Sequence, residues 1–263
     1  MIVLLSLAVA PAVFLLLFVY LRDKYEREPL SLIAITFVIG AACLLPAALI
    51  EFMLGLFLPS NFLLQVFLYV ALIEEATKFI AVRIKAYSSP HFREVMDGIV
   101  YTVAAGLGFA TLENVVYILQ SGLSVAITRA LLSVPGHAVW AGIMGYYIGL
   151  AKFNATSKSQ QRLRIIEGVG IATVLHGTYD ILVFSESLLG VVAISLVGWV
   201  LFLLLIRKAL SMSPFRWRET QATYPGGVLV PSPPRFCAQC GSRLVGDEDF
   251  CMNCGFALSR RTQ

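Results

Sequence analysis

Seven apolar stretches, each about twenty residues long, constrain the fold of this chain more than any other feature of its sequence. A helix needs about 20 consecutive apolar residues to cross a bilayer. Because 58% of the residues are hydrophobic and only 14% are charged, the composition excludes an ordinary soluble domain. The sequence therefore predicts an all-α membrane protein with about seven transmembrane helices, at residues 2–21, 30–50, 62–82, 97–119, 130–151, 166–184 and 188–206.

Basic residues in the connections predict the orientation of these helices. The connections after the first, third and fifth stretches carry ten lysines and arginines, whereas the alternate connections carry only Arg129. Cytoplasmic loops of membrane proteins are enriched in Lys and Arg, so we expect the N-terminus outside and the C-terminus in the cytoplasm. The first stretch lacks a basic segment before it and a small-residue cleavage site after it, which favours an uncleaved anchor over a signal peptide.

The last 55 residues differ from the membrane domain, which we assign to residues 1–208. Residues 209–235 are rich in Pro, Ser and Gly and are typical of a flexible linker. Residues 236–258 contain two C-x2-C pairs, Cys237 with Cys240 and Cys251 with Cys254, each followed by glycine. This spacing predicts a structural Zn²⁺ site of the ribbon type. Reducing conditions in the cytoplasm disfavour the alternative of two disulfides.

Charged residues inside the apolar stretches indicate a buried polar site. Glu74, Glu75 and Lys78 lie in the middle of the third stretch. A charge near the bilayer centre costs at least ~2.5–3.5 kcal/mol, so such groups are functional by default. Other polar residues in the spans are Glu113, Asn114, His137, His176 and Asp180.

Helical spacing suggests how these groups pair. Lys78 follows Glu74 by four residues and Glu75 by three, which places the ammonium next to both carboxylates. Asp180 follows His176 by four residues and can orient its imidazole. A carboxylate that can accept a proton, with an imidazole beside it, is the combination that activates a water molecule.

The predicted outer ends of the helices give approximate depths for the same residues. At a rise of ~1.5 Å per residue, Glu75 lies ~20 Å along its helix, His176 ~12 Å, His137 ~10 Å and Glu113 ~9 Å. Three of the four groups are therefore expected in the outer half of the bilayer, with Glu75 slightly past the middle.

Residues 15 to 206 resemble the PrsW-type intramembrane proteases, relatives of the type II CAAX prenyl endopeptidases. The resemblance rests on the number and order of several short motifs, none of which is specific alone. They are YEREP at 25–29, EEATK at 74–78, MDG at 96–98, GLGF at 106–109, ENVVY at 113–117, PGH at 135–137, MGYY at 144–147 and LHGTYD at 175–180.

The resemblance implies a catalytic group of Glu74, Glu75, His137 and His176, with Glu113 as a further member. Lys78, Asn114 and Asp180 are expected to support it. Such enzymes cleave a peptide bond in or near the membrane, and in some bacteria they make the first, outer cut in a membrane-bound anti-sigma factor. The cysteine pairs of the tail depart from the common pattern of the family, so the natural substrate can differ.

Two chemistries remain open for these residues. In one, a glutamate acts as general base without a metal; in the other, the two histidines and one glutamate hold a zinc ion, with the second glutamate as base. The sequence has no local chelate of the H-E-x-x-H type, which slightly favours the metal-free chemistry. A proton-coupled transporter and a non-catalytic scaffold that recruits partners through its ribbon are the alternative functions. The expected partners are a single-pass membrane protein as substrate, the lipid bilayer and a cytoplasmic partner of the ribbon, without nucleic acid. The expected location is a prokaryotic cell membrane.

Overall fold

The computed structural model describes residues 2–59, 61–216, 235–237, 239–244, 251 and 253–254. Almost all of these residues are helical. The helices are α1 (Ile2–Arg22), α2 (Leu30–Ala42), α3 (Leu44–Phe57), α4 (Phe62–Leu64), a π-helix (Gln65–Ala71), α5 (Leu72–Ile84), α6 (Val95–Thr128), a second π-helix (Arg129–Ser133), α7 (Val134–Phe153), α8 (Lys158–Phe184) and α9 (Leu188–Ser211).

Among the described residues, four helical stretches are long and apolar enough to cross a membrane. They are Leu30–Phe57, Val95–Phe153, Lys158–Phe184 and Leu188–Ser211. The predicted class, an all-α protein with several membrane-spanning helices, is confirmed. The count of four is three lower than the predicted seven, and each difference has its own reason. In α1 only Ser6–Arg22 is counted, which is too short; the stretch from α4 to α5 is interrupted by Glu74, Glu75 and Lys78; and the stretch of 59 residues from Val95 to Phe153 counts as one.

That long stretch is in fact a hairpin, with its turn at Gly122. Gly122 has φ of 79° and ψ of −158°, a conformation that interrupts the helix and that only glycine adopts without strain. After the turn the chain packs back on itself, so that the Arg129 side chain bonds to Asn114. Further along, a Cβ added to Gly98 would lie 2.3 Å from the carbonyl oxygen of Gly145. These contacts show two antiparallel helical arms in close contact.

The first arm of the hairpin is the centre of the bundle. Its residues from Val95 to Ala110 are all buried. A Cβ on Gly108 would lie 1.9 Å from the carbonyl oxygen of Phe37, so α2 also touches its backbone. Small residues let helices approach closely in a membrane, where van der Waals contact drives their association. The central position of α6 lets it present polar groups to several neighbouring helices.

The C-terminal tail forms a small unit at one end of the bundle. Strands β1 (Arg235–Phe236) and β2 (Arg243–Leu244) pair in antiparallel fashion. The ring of Phe236 lies 5.9 Å from that of Phe153 at the end of α7. At the two ends of the predicted linker 209–235, residues 209–211 belong to α9 and Arg235 belongs to β1. Residues 217–234, which make up most of that linker, lie outside the described residues.

Candidate active site

Helix α5 brings three charged side chains to the interior of the bundle. Glu74, Glu75 and Lys78 are at most 5% exposed. Lys78 Nζ lies 3.1 Å from Glu74 Oε2 and 2.8 Å from Glu75 Oε1, which confirms the pairing expected from helical spacing. The third neighbour of Lys78 Nζ is His137 Nδ1 at 2.9 Å. An ammonium has three protons to donate, so Lys78 can use all of them in these contacts.

The second contributor is His176 from α8. Its Nδ1 lies 3.0 Å from Glu75 Oε1, and its Nε2 lies 3.9 Å from Glu74 Oε2 and 3.5 Å from Asp180 Oδ2. The ring stacks on Trp140 of α7 with the centroids 4.2 Å apart. The stacking and the contact with Glu75 hold the imidazole in one orientation. If Nδ1 donates to Glu75, the lone pair of a neutral His176 is on Nε2.

The third contributor is His137 from α7. Because the Lys78 ammonium can only donate, His137 Nδ1 accepts from it. His137 Nε2 then carries the proton and faces Glu113 Oε2 at 3.1 Å. Glu113 in turn contacts an Arg129 nitrogen at 2.7 Å. The hydrogen-bonding network therefore extends from α5 through α7 to both arms of the hairpin.

Asn114 supports this network from outside the central group. Its Oδ1 accepts a hydrogen bond of 3.1 Å from Arg129 Nε. Its Nδ2 donates to the carbonyl oxygen of Leu7 in α1 at 3.4 Å. Asn114 thus links the first arm of the hairpin to Arg129 in the second arm and to α1. These two bonds do not involve Glu74, Glu75 or either histidine.

Three of these residues could hold a metal ion. Glu74, His137 and His176 each offer a ligand atom, all lie within 4.8 Å of one another, and all three residues are buried. Two imidazoles and one carboxylate form a familiar ligand set for catalytic zinc, which leaves a fourth position open. The donor types therefore fit a metal. The Lys78 ammonium contacts two of the same donor groups, so it and a metal would compete for them.

Sequence reasoning missed two contributors to the site and one acidic residue of α3. Arg129 was interpreted only as an outer loop charge, but the turn at Gly122 folds it back against Glu113. Trp140 was not distinguished from other apolar residues, although it stacks on His176. Glu51 of α3 was missed because the predicted helix ended one residue before it. An acidic residue inside an apolar helix was the available signal.

The turn at Gly122 also changes the distance of His137 from the end of its helical arm. His137 follows Gly122 by fifteen residues, or ~22 Å of helix, whereas counting from residue 130 gave ~10 Å. His137 and Glu75 therefore reach similar distances along their helices, which agrees with their common contact to Lys78. Counting from residue 130 gave the smaller value because apolar composition does not reveal where the chain reverses.

Comparison with known proteins identifies the family. Residues 28–206 match the PrsW family intramembrane metalloprotease. The chain belongs to the PrsW family. It is 40% identical over 185 residues to Protease PrsW of Geobacillus kaustophilus (strain HTA426), which covers 70% of this chain and 81% of that relative. Protease PrsW of Bacillus subtilis (strain 168) is 35% identical over 194 residues, covering 71% and 85%. No solved structure matches the chain significantly.

This assignment confirms the resemblance and its main consequence. The protein is an intramembrane protease with several apolar helices able to span a bacterial membrane. The matched region contains α5, the hairpin and α8, and therefore all of the buried polar residues described above. The cysteines of the tail lie beyond it.

The tail cysteines form a second group that could hold a metal ion. Sγ of Cys237 lies 3.6 Å from that of Cys254, and Sγ of Cys240 lies 3.5 Å from that of Cys251. These separations exceed the ~2.05 Å of a disulfide and approach the ~3.8 Å expected between thiolates around one tetrahedral zinc. Burial opposes ionisation of the Cys240 thiol, but hydrogen bonds involving Ser242 and Asn253 outweigh it and lower its pKa to about 6.

Proposed function

We propose that this protease hydrolyses a peptide bond of a membrane-protein substrate with Glu74, Glu75, His137 and His176. The single observation that supports this assignment best is the convergence of Glu74, Glu75 and His137 on one ammonium, with the fourth side chain, His176, in contact with Glu75. They come from three helices that are far apart in sequence. A purely structural role would not require two carboxylates and two imidazoles at one point of the bilayer interior.

The metal named in the family description has a candidate site in this group. Glu74, His137 and His176 would hold it, and the bound ion would polarise the scissile carbonyl and favour ionisation of a water molecule. His176 suits this role because its Nδ1 faces Glu75 while its Nε2 faces Glu74. A carboxylate on the far nitrogen of a ligand histidine fixes its orientation and raises its basicity.

Glu75 is our candidate for the general base. Its Oε1 is held by Lys78 and His176, whereas its Oε2 is buried without a hydrogen-bond partner among the described residues. The free oxygen can take a proton from water and then give it to the leaving amine. The Lys78 ammonium, 2.8 Å from Oε1, holds this carboxylate in place. Glu113 holds His137 through Nε2, and the positive charge of Arg129 next to Glu113 stabilises that contact.

A single-pass membrane protein is the substrate class we infer. The resemblance suggests an anti-sigma factor cleaved near the outer side of the bilayer. The candidate active site lies inside the helix bundle, so an extended substrate would have to enter between the helices.

The tail lies beyond the residues that match the family, so we propose that it binds one structural Zn²⁺ and recruits a cytoplasmic partner. Its contact with Phe153 places it at the end of α7 and away from Glu75.

Cleavage by the purified protein tests this function. The full chain, reconstituted in liposomes with a single-pass substrate, should release a fragment cut within or next to the membrane. A membrane-permeant zinc chelator should stop the reaction, and added zinc should restore it. The double variant Cys251→Ser, Cys254→Ser removes the zinc site of the tail, so that the chelator acts on the membrane site alone. This variant should retain about one metal ion, at Glu74, His137 and His176. A folded wild-type protein that cleaves no membrane substrate would contradict the proposal.

Seven membrane-spanning helices with the C-terminus in the cytoplasm remain our proposed topology. The hairpin at Gly122 supplies two crossings, and the α2–α3 stretch, α8 and α9 supply three more. The remaining two crossings are α1 and the stretch from α4 to α5. A reporter enzyme fused after Lys208 should therefore show cytoplasmic activity, because the basic connections would lie on that side. Labelling of the tail cysteines by an impermeant reagent in intact cells would contradict this orientation.

A further inference from the structure

A second buried cluster of carboxylates joins the segment after α1 to the start of α6. Ligand oxygens of Asp23, Glu28 and Asp97 lie within 4.8 Å of one another. The three residues are 0%, 2% and 1% exposed. Asp97 precedes Glu113 by sixteen residues of α6, or ~24 Å of helix, so this cluster is separate from the candidate active site.

The protein satisfies only part of this cluster. Glu28 Oε2 accepts a hydrogen bond from the Tyr101 hydroxyl, and Asp97 Oδ2 accepts from the backbone N–H groups of Arg93 and Glu94. The other oxygens, Glu28 Oε1 and Asp97 Oδ1, have no hydrogen-bond partner among the described residues. Neither oxygen of Asp23 has one, although its side chain is completely buried. Buried carboxylate oxygens without partners are costly and require an explanation.

Neighbouring charges do not neutralise the cluster. The Arg93 guanidinium forms its ion pair with Glu26. The charge of Arg27 acts on Asp23, but Glu94, Glu28 and Glu26 act on it with the opposite sign. Arg93 also acts on Glu28, and Lys152 acts on Asp97. Three cations therefore face five carboxylates, namely the three of the cluster together with Glu26 and Glu94, so negative charge is in excess. A positive ligand would remove both the repulsion and the lack of partners.

We propose that Asp23, Glu28 and Asp97 bind a divalent, oxygen-preferring cation, either Mg²⁺ or Ca²⁺. All the available ligands are carboxylate oxygens, which hard cations prefer, and no histidine or cysteine is part of the cluster. Oxygens at ~2.1–2.6 Å from a cation can be up to ~4.2–5.2 Å apart, which matches the spacing here. The cation would fasten the α1–α2 connection to the first turn of α6.

Protons are the competing occupants. Burial, with the nearby carboxylates of Glu94, Glu28 and Glu26, raises the pKa of Asp23 to about 8. A cluster that only holds protons would gain nothing from added cations. It would also tolerate a neutral side chain at position 23. These two consequences separate the explanations by experiment.

The test uses the full chain in detergent, saturated with zinc so that the other metal groups are filled. Titration with Mg²⁺ and with Ca²⁺ should show about one additional cation bound per chain for at least one of them. At ~100 times its dissociation constant, that cation should raise Tm by on the order of 5–10 °C. Asp23→Asn should bind it at least about tenfold more weakly, since one of three charged ligands is lost. Without the cation, this variant should melt at a higher temperature than wild type.

Glu167→Gln is the matched control, because it neutralises a partly exposed carboxylate of α8 that pairs with Arg164. It should respond to the cation as wild type does. If neither cation at ~10 mM shifts the wild-type Tm, the cluster holds protons and the proposal is overturned. Unchanged affinity in Asp23→Asn would overturn it as well. Should that variant not insert, Glu28→Gln serves instead, because its carbonyl oxygen can still accept from Tyr101.

Discussion

Replacement of Glu75 by glutamine is expected to lower the cleavage rate by about 10²–10⁴-fold, the usual contribution of a general base. The amide oxygen of glutamine can still accept hydrogen bonds from Lys78 and His176, so the position should remain occupied and the helices packed. The variant loses the oxygen that we expect to take a proton from water. Initial rates on a reconstituted single-pass substrate, together with the metal content of each protein, measure the effect.

Glu167→Gln provides the control for this experiment, since the same chemical change is made at a partly exposed ion pair. Its rate should stay within about twofold of wild type, because exposed ion pairs contribute little. Glu74→Gln should also lose activity, but through loss of metal rather than loss of the base. If Glu75→Gln keeps the wild-type rate, Glu75 is not the base and the proposed assignment of the two glutamates fails.

Replacement of Lys78 by methionine is expected to destabilise the protein by about 3–5 kcal/mol and to abolish cleavage. Methionine fills a similar volume but leaves the Glu74 and Glu75 carboxylates without the cation that both contact. An uncompensated buried charge is expensive, which is the reason for the large effect. The folded fraction during heating in detergent, followed with and without added zinc, measures the loss.

Added zinc should restore part of the stability of this variant, because a bound cation would replace the missing positive charge between the same donors. Lys158→Met is a suitable control, since Lys158 is exposed at the start of α8 and should have little influence on melting. Wild-type stability and activity in Lys78→Met would show that the buried ammonium does not hold the two carboxylates together.

The sequence alone determined the class of the protein and the identity of its unusual polar groups. Apolar stretches of membrane length require helices, because backbone groups in lipid must be hydrogen-bonded within the chain. The contact of Lys78 with Glu74 and Glu75 was also predictable, since residues three and four apart share a helix face. The ordered motifs led to the PrsW family, which the comparisons confirm. All of these inferences depend on local spacing or on composition.

Only the tertiary structure decided which distant groups meet. The turn at Gly122 places Arg129 beside Glu113 and sets the position of His137, although nothing in the apolar composition marks that residue as the point of reversal. Packing then leaves Glu75 Oε2 without a hydrogen-bond partner among the described residues, and it gathers Asp23, Glu28 and Asp97 at the other end of α6. Contacts between distant residues depend on where helices end and how closely they approach. Those distances follow from side-chain packing across the whole bundle rather than from the periodicity of any one segment.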